Sequence, residues 1–347
     1  MIGRLFTRLA IASIERGIVP DSMVRAGIRN LCRKRLRDEL ERIGEDDPIE
    51  SIRPALDLDV IAVAVDEAND QHYEVPAPFF EAALGPRLKY SSCYWGEGVD
   101  DLAAAEIAAL EITVERAGLA DAQDILELGC GWGSLTLFMA ERFPNARITA
   151  VSNSHGQASF INRRLEEIGR DNVRIITTDM NAFVPEGAFD RIVSVEMFEH
   201  MRNWEQLLGR VSSWLRTGGR FFAHVFAHRS VPYLFEDQGA DDWMSREFFT
   251  GGLMPSVDLM PKMARDLDHV NTWVWDGTHY EKTANAWLER LDARRTEVER
   301  ALGTKSQTAA RRQAERWRIF FMACAELFGL DAGKEWVVAH HLLEKSR

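Results

Sequence analysis

Residues 124–134 read Asp-Ile-Leu-Glu-Leu-Gly-Cys-Gly-Trp-Gly-Ser. Residues 124–128 are mostly apolar and too few for a helix, so they read as a short buried strand. Gly129, Gly131 and Gly133 follow at alternate positions and let the backbone turn tightly and approach a ligand that a Cβ would keep away. The pattern from Ser134 onward is helical. A glycine turn between a strand and a helix is the ligand-binding corner of a doubly wound α/β sheet, although by itself it suits any Rossmann-like enzyme.

Outward from this turn the chain alternates between the two periodicities. Residues 147–151, 173–177, 189–195 and 220–226 read as further strands, with 156–168 and 204–215 helical between them. Residues 228–265 are turn-rich and aromatic without clear periodicity. A short strand near 270–275, two long helices at 282–301 and 307–328 and a last strand at 336–343 complete this part. Before residue 72 the chain reads as a helical extension. Ile2, Leu5, Phe6 and Leu9 form an amphipathic stripe, and 22–42 is rich in arginine and leucine. The expected organisation is an extension over 1–72 and an α/β domain over 73–347, with a substrate-side helical insertion at about 228–330.

Composition narrows the class. A chain of 347 residues with 46% hydrophobic and 28% charged content is neither disordered nor a small disulfide scaffold. Cys32, Cys93, Cys130 and Cys324 are scattered with no CxxC pair, which argues against a cysteine-built zinc site and for a reducing cytoplasm. The net charge of −12 argues against nucleic acid as a partner. Residues 1–37 depart from this balance, with nine basic side chains against Glu15 and Asp21. Their interrupted apolar stretch makes a poor signal peptide. Two readings stay open for them: a cap on the main domain or on a second subunit in a homodimer, or a surface helix resting on anionic lipid.

Two details distinguish the ligand. A nicotinamide site places an acid after the second strand, whereas Val151-Ser152-Asn153-Ser154 holds none. Asp179 instead follows the third strand, where it can receive an adenine amino group. This order looks like a class I S-adenosylmethionine (SAM) methyltransferase, whose sheet is mostly parallel with seven strands. Glu196, Glu199 and His200 then stand at the carboxyl end of the fourth strand. Helical spacing would set all three on one face. His224 and His228 resemble a zinc pair, but their stretch alternates like a strand and no third ligand is evident, so no metal is expected.

Taken together, these residues resemble a family. Tyr90-Ser91-Ser92-Cys93-Tyr94-Trp95, the glycine turn and Glu196–His200 are similar to the cyclopropane-fatty-acid synthase-like methyltransferases. Residues 242–246, 248–256, 277–280, 286–290 and 317–329 are closer to the coclaurine N-methyltransferase branch. The resemblance covers about residues 73–345 and implies SAM as methyl donor. It implies that Tyr90, Ser91, Gly129 and Gly131 line the methionine end, Asn153 and Gln157 the ribose and adenine region, and Asp179, Met180 and Asn181 the adenine. Glu196, Glu199 and His200 would surround an acceptor amine and take its proton. Glu199→Gln should then abolish turnover. His224, Tyr280, Trp243 and Phe226 would stand on the substrate side, and Trp287, Trp317 and Trp336 in the core.

Cyclopropane synthases hold a bicarbonate base with a cysteine, a glutamate, a histidine and a tyrosine. The last three match Glu199, His224 and Tyr280, but the cysteine position is Ser92 here. The expected activity, from the branch motifs, is therefore N-methylation of a small amine, benzylisoquinoline-like or otherwise aromatic, with lipid methylation or cyclopropanation as the alternative.

Overall fold

The computed structural model describes residues 11–63, 75–236, 239, 242–303 and 306–346. The stripe expected at residues 2–9 lies outside them. Seven strands form one sheet: β1 (Asp124–Leu128), β2 (Arg147–Ser152), β3 (Val173–Thr177), β4 (Phe189–Val195), β5 (Leu215–His228), β8 (Asp268–Trp275) and β9 (Trp336–Glu344). Their order is β3-β2-β1-β4-β5-β9-β8, parallel from β3 to β5 and antiparallel at the β5–β9 and β9–β8 pairings. The chain order reverses at β1, between β2 and β4, which is where such sheets open a crevice. Two further short strands, β6 (Tyr233–Leu234) and β7 (Leu253–Met254), pair with each other.

In chain order the helices are α1 (Asp21–Ile43), α2 (Pro48–Leu56), α3 (Ala77–Ala83), α4 (Leu102–Ala117), α5 (Ser134–Arg142), α6 (His155–Glu167), α7 (Trp204–Trp214), α8 (Trp243–Glu247), α9 (Leu259–Met263), α10 (Thr278–Ala293), α11 (Arg295–Ala301) and α12 (Gln307–Phe328). Side-chain caps set several of their starts. Asp47 accepts from Ile49 N and Glu50 N, Ser154 from Gln157 N and Asn203 from Gln206 N. Each satisfies a backbone donor that the first helical turn leaves free.

One apolar layer includes Leu110 of α4, Met139 of α5, Ile161 of α6, Trp287 of α10 and Phe321 of α12; the other includes Ile52 of α2, Leu207 of α7 and Met260 of α9. Trp287, Trp317 and Trp336 are buried, as expected. Two boundaries differ from the sequence reading. The expected helix at 282–301 is two helices, α10 and α11, broken at Arg294. β5 begins at Leu215 and shifts register opposite 189–191, so residues 217–219 sit inside an irregular strand. The strand expected near 270–275 is present as β8, paired with β9 in the main sheet.

Helix α1 lies along α12. Arg25 and Arg29 donate to Glu326 at 2.8 and 2.5 Å, and Arg318 of α12 donates to Asp21 at 2.7 Å. Arg35 bonds Asp242, and Arg316 donates to Glu15 at 2.9 Å. Much of the basic charge of α1 is thus spent within the chain, which supports the cap and gives no support to lipid contact.

Candidate active site

One cavity opens at the carboxyl ends of β1, β2 and β4. Gly129, Gly131, Asn153, Gln157, Asp179 and Met180 line one end, with Tyr90 and Ser91 beside them. Gly129 has φ +78°, and a Cβ there would come 2.6 Å from Met197 Cγ. Gly131, at φ +52°, would point its Cβ into open space. The two glycines have different causes: packing against the loop after β4 at the first, a left-handed backbone at the second.

Gln157 is buried, and its Oε1 accepts from Ser152 Oγ at 2.7 Å. Asp179 Oδ1 accepts from Asn181 N at 2.8 Å. Glu127, at the end of β1, accepts from Thr136 Oγ1, and burial pushes its carboxyl up to about 8. Asn181 is corrected from its expected adenine contact. It does not line the cavity; its Oδ1 accepts from Ile61 N and Ala62 N, and its Nδ2 donates to Ala62 O. It clamps residues 61–62 so that Ala62 reaches the cavity wall, a contribution from the extension that local sequence patterns do not reveal.

The loop carrying Tyr90 and Ser91 is held from beneath by Lys89. This buried side chain donates to Ser91 Oγ and Ser92 O, both at 2.6 Å, and burial lowers its pKa. Tyr90 packs on Trp287, which lines the cavity as well as filling the core.

Glu196 stands where the two ends of the cavity meet. Its φ is +46°, a conformation that costs a non-glycine residue about 1–3 kcal/mol and persists where the surroundings enforce it. Its backbone N–H donates to His224 O at 2.8 Å. Three donors converge on the carboxylate. Ser92 N reaches Oε1 at 2.8 Å, His224 Nε2 lies 3.1 Å from Oε1, and Tyr280 O–H donates to Oε2 at 2.7 Å. Burial lowers the imidazole of His224 to about 4 and raises the phenol of Tyr280, so both are neutral near pH 7.

The shared face expected for Glu196, Glu199 and His200 is not formed. Residues 198–200 make a single 3-10 turn, and the left-handed backbone of Glu196 turns its side chain away from that of Glu199. Glu199 does not line the cavity. It is fully buried, its Oε1 accepts from Phe226 N at 2.7 Å, and its Oε2 has no partner among the described residues. Burial, then the charge of Glu196, raises its pKa well above the carboxylate range. His200 does line the cavity, its ring 4.6 Å from that of Phe249.

Beyond Glu196 the walls are apolar: Phe226, Phe235, Phe249, Phe320, Phe328 and Met244. Trp243 is corrected from the substrate side. Its ring packs on Phe248, and its Nε1 donates to Glu15 Oε1 at 3.4 Å, outside the cavity. His224 touches the site through Glu196. His228 is committed elsewhere, its Nδ1 accepting from Ser230 N and Val231 N.

This sheet order, with a glycine turn after β1 and an acid after β3 on one crevice, defines a SAM-dependent methyltransferase of the doubly wound class. The chain belongs to the mycolic acid cyclopropane synthetase family, whose family model matches residues 64–335. It is 34% identical to (S)-coclaurine N-methyltransferase of Thalictrum flavum subsp. glaucum, over 96% of this chain and 95% of that protein. It is 28% identical to cyclopropane-fatty-acyl-phospholipid synthase of Escherichia coli (strain K12), over 77% of this chain and 66% of that one. The crystal structure of coclaurine N-methyltransferase bound to N-methylheliamine and SAH superposes with a TM-score of 0.91 at 32% identity, covering 97% of this chain and 99% of that one. The similarity thus extends into the helical extension, beyond the residues whose motifs suggested it.

Proposed function

We propose that the protein transfers a methyl group from SAM to the nitrogen of a small, largely apolar amine, with Glu196 taking the proton of the bound ammonium. The carrying observation is the carboxylate of Glu196, fixed by three donors at the head of an aromatic chamber. SAM, when bound, supplies an electrophilic methyl group, and the glycine turn, Asn153, Gln157 and Asp179 would hold it. An ammonium has no lone pair to offer until its proton is removed. Oε1 of Glu196 already accepts two hydrogen bonds and Oε2 one, so the lone pair left over on Oε2 is the place for that proton. The phenylalanine walls exclude water and can face a cation. Glu199 accepts from the Phe226 backbone and supports it.

The same donors weigh against cyclopropanation. The resemblance gives the Ser92 position, His224 and Tyr280 to a bicarbonate ion, whereas here all three turn onto Glu196. The relatives named above point the same way. The test is transfer of label from methyl-labelled SAM in two mixtures, one of benzylisoquinoline and arylethyl amines, the other of unsaturated phospholipid vesicles with bicarbonate. Label on amine nitrogen is expected; label in lipid alone would overturn the proposal.

A further inference from the structure

A line of side chains leads from Glu196 across the sheet and away from the cavity. His224 on β5 is the cross-strand partner of His340 on β9, and His224 Nδ1 lies 2.9 Å from His340 Nε2. His340 Nδ1 lies 2.9 Å from Nη1 of Arg116, in the last turn of α4. Both histidines are buried. Arg116 forms no ion pair among the described residues; its guanidinium instead lies 4.9 Å from the Trp273 ring and 5.6 Å from the Trp275 ring. The half-buried guanidinium of Arg116 thus packs against two tryptophan rings while it points at a histidine.

The direction follows from one asymmetry. A guanidinium only donates, so His340 Nδ1 must accept. Desolvation keeps both imidazoles neutral. His340 therefore carries its proton on Nε2 and donates it to His224 Nδ1. His224 in turn carries its proton on Nε2 and donates to Glu196 Oε1. Every bond in the line points toward the carboxylate.

We infer that Arg116, acting through His340 and His224, is a positioning residue that fixes both imidazole tautomers and so holds Glu196 as a pure acceptor toward the substrate. This rests on the reading of Glu196 given under the proposed function. The line is not a proton exit. A proton leaving Glu196 would need both tautomers reversed, and Arg116 has no lone pair to receive it. It orients the base and leaves the proton to depart on the cavity side.

The test combines imidazole nitrogen NMR with kinetics on the full chain. Protein labelled with ¹⁵N-histidine should show both His224 and His340 with a pyridine-type Nδ1 and a pyrrole-type Nε2, a measurement that needs no variant beyond those used to assign the signals. Arg116→Met should release the His340 tautomer and lower kcat about tenfold, a typical effect of losing a residue that orients a working side chain, while the Kd for SAH stays unchanged. Arg116→Lys, which still donates, should recover most of the rate. An Nδ1–H proton on His340 in the unaltered protein would overturn the inference, as would Arg116→Met with unchanged kcat. If Glu196→Gln stops turnover and Arg116→Met does not, the positioning role falls and the function stands. If Glu196→Gln leaves amine methylation intact while the tautomers are as stated, the reading of Glu196 falls, and with it the reason for the positioning.

Discussion

Glu196→Gln isolates proton removal from the rest of the site. Glutamine keeps the shape, and with its carbonyl turned to Ser92 N and His224 Nε2–H it retains both bonds now made by Oε1. Its amide nitrogen then occupies the place of Oε2, so that one N–H points at the Tyr280 oxygen, which now donates there, and the other faces the ammonium with no acceptor. General-base catalysis contributes about 10²–10⁴-fold, so kcat should fall by that factor, about 2.7–5.5 kcal/mol of barrier. The loss should depend on pH in a defined way. The variant can methylate only amine that arrives already deprotonated, so its rate should rise about tenfold per pH unit until the amine pKa is reached. The unaltered enzyme, which binds the ammonium and deprotonates it in place, should rise less steeply. The assay is steady-state release of S-adenosylhomocysteine from neutral to mildly alkaline pH, with calorimetric titration of S-adenosylhomocysteine as control. A variant with an intact rate and a pH profile superimposed on that of the parent would refute the role of Glu196.

Glu199→Gln keeps the shape of a side chain that does not line the cavity, and its carbonyl can still accept from Phe226 N; it should retain far more turnover than Glu196→Gln in the same assay. Tyr280→Phe removes one donor from a charged acceptor, worth about 1.5–3 kcal/mol, and should lower kcat at least about tenfold with the KM for SAM unchanged. Gly129→Ala forces a Cβ to within 2.6 Å of Met197 at a positive φ, so calorimetry should show weakened S-adenosylhomocysteine binding and the melting temperature should drop, by about 1–3 kcal/mol of stability. The pH dependence of stability should have two opposed components. His228, held neutral down to about 4, makes the native state lose stability as pH falls from about 6.5 toward 4, because the unfolded chain takes the proton first. Glu127, held protonated up to about 8, acts oppositely between about 4.5 and 8, where stability falls as pH rises. Melting curves of His228→Gln should lack part of the acid-side loss.

The amino-acid sequence by itself determined the features that live within one turn or one strand. Gly129, Gly131 and Gly133 fixed the corner after β1, because only a residue without Cβ takes those backbone angles or packs so close to Met197. Alternating apolar strands and helical stretches fixed the doubly wound class, and the acid after β3 marked one wall of the cavity. Tertiary structure alone decided between Glu196 and Glu199. Spacing gives both carboxylates equal standing; in the fold Glu196, at a positive φ, lines the cavity, and Glu199 lies in the core. It also decided that Asn181 clamps Ala62 and that Trp243 faces Glu15. Arg116 and His340 were invisible for the same reason. They lie 224 residues apart, and nothing in local periodicity encodes the β5–β9 register that sets His340 against His224, or the docking of α4 that brings Arg116 to its ring. Periodicity records which face of an element is apolar; which side chains meet across elements is set by how those faces pack.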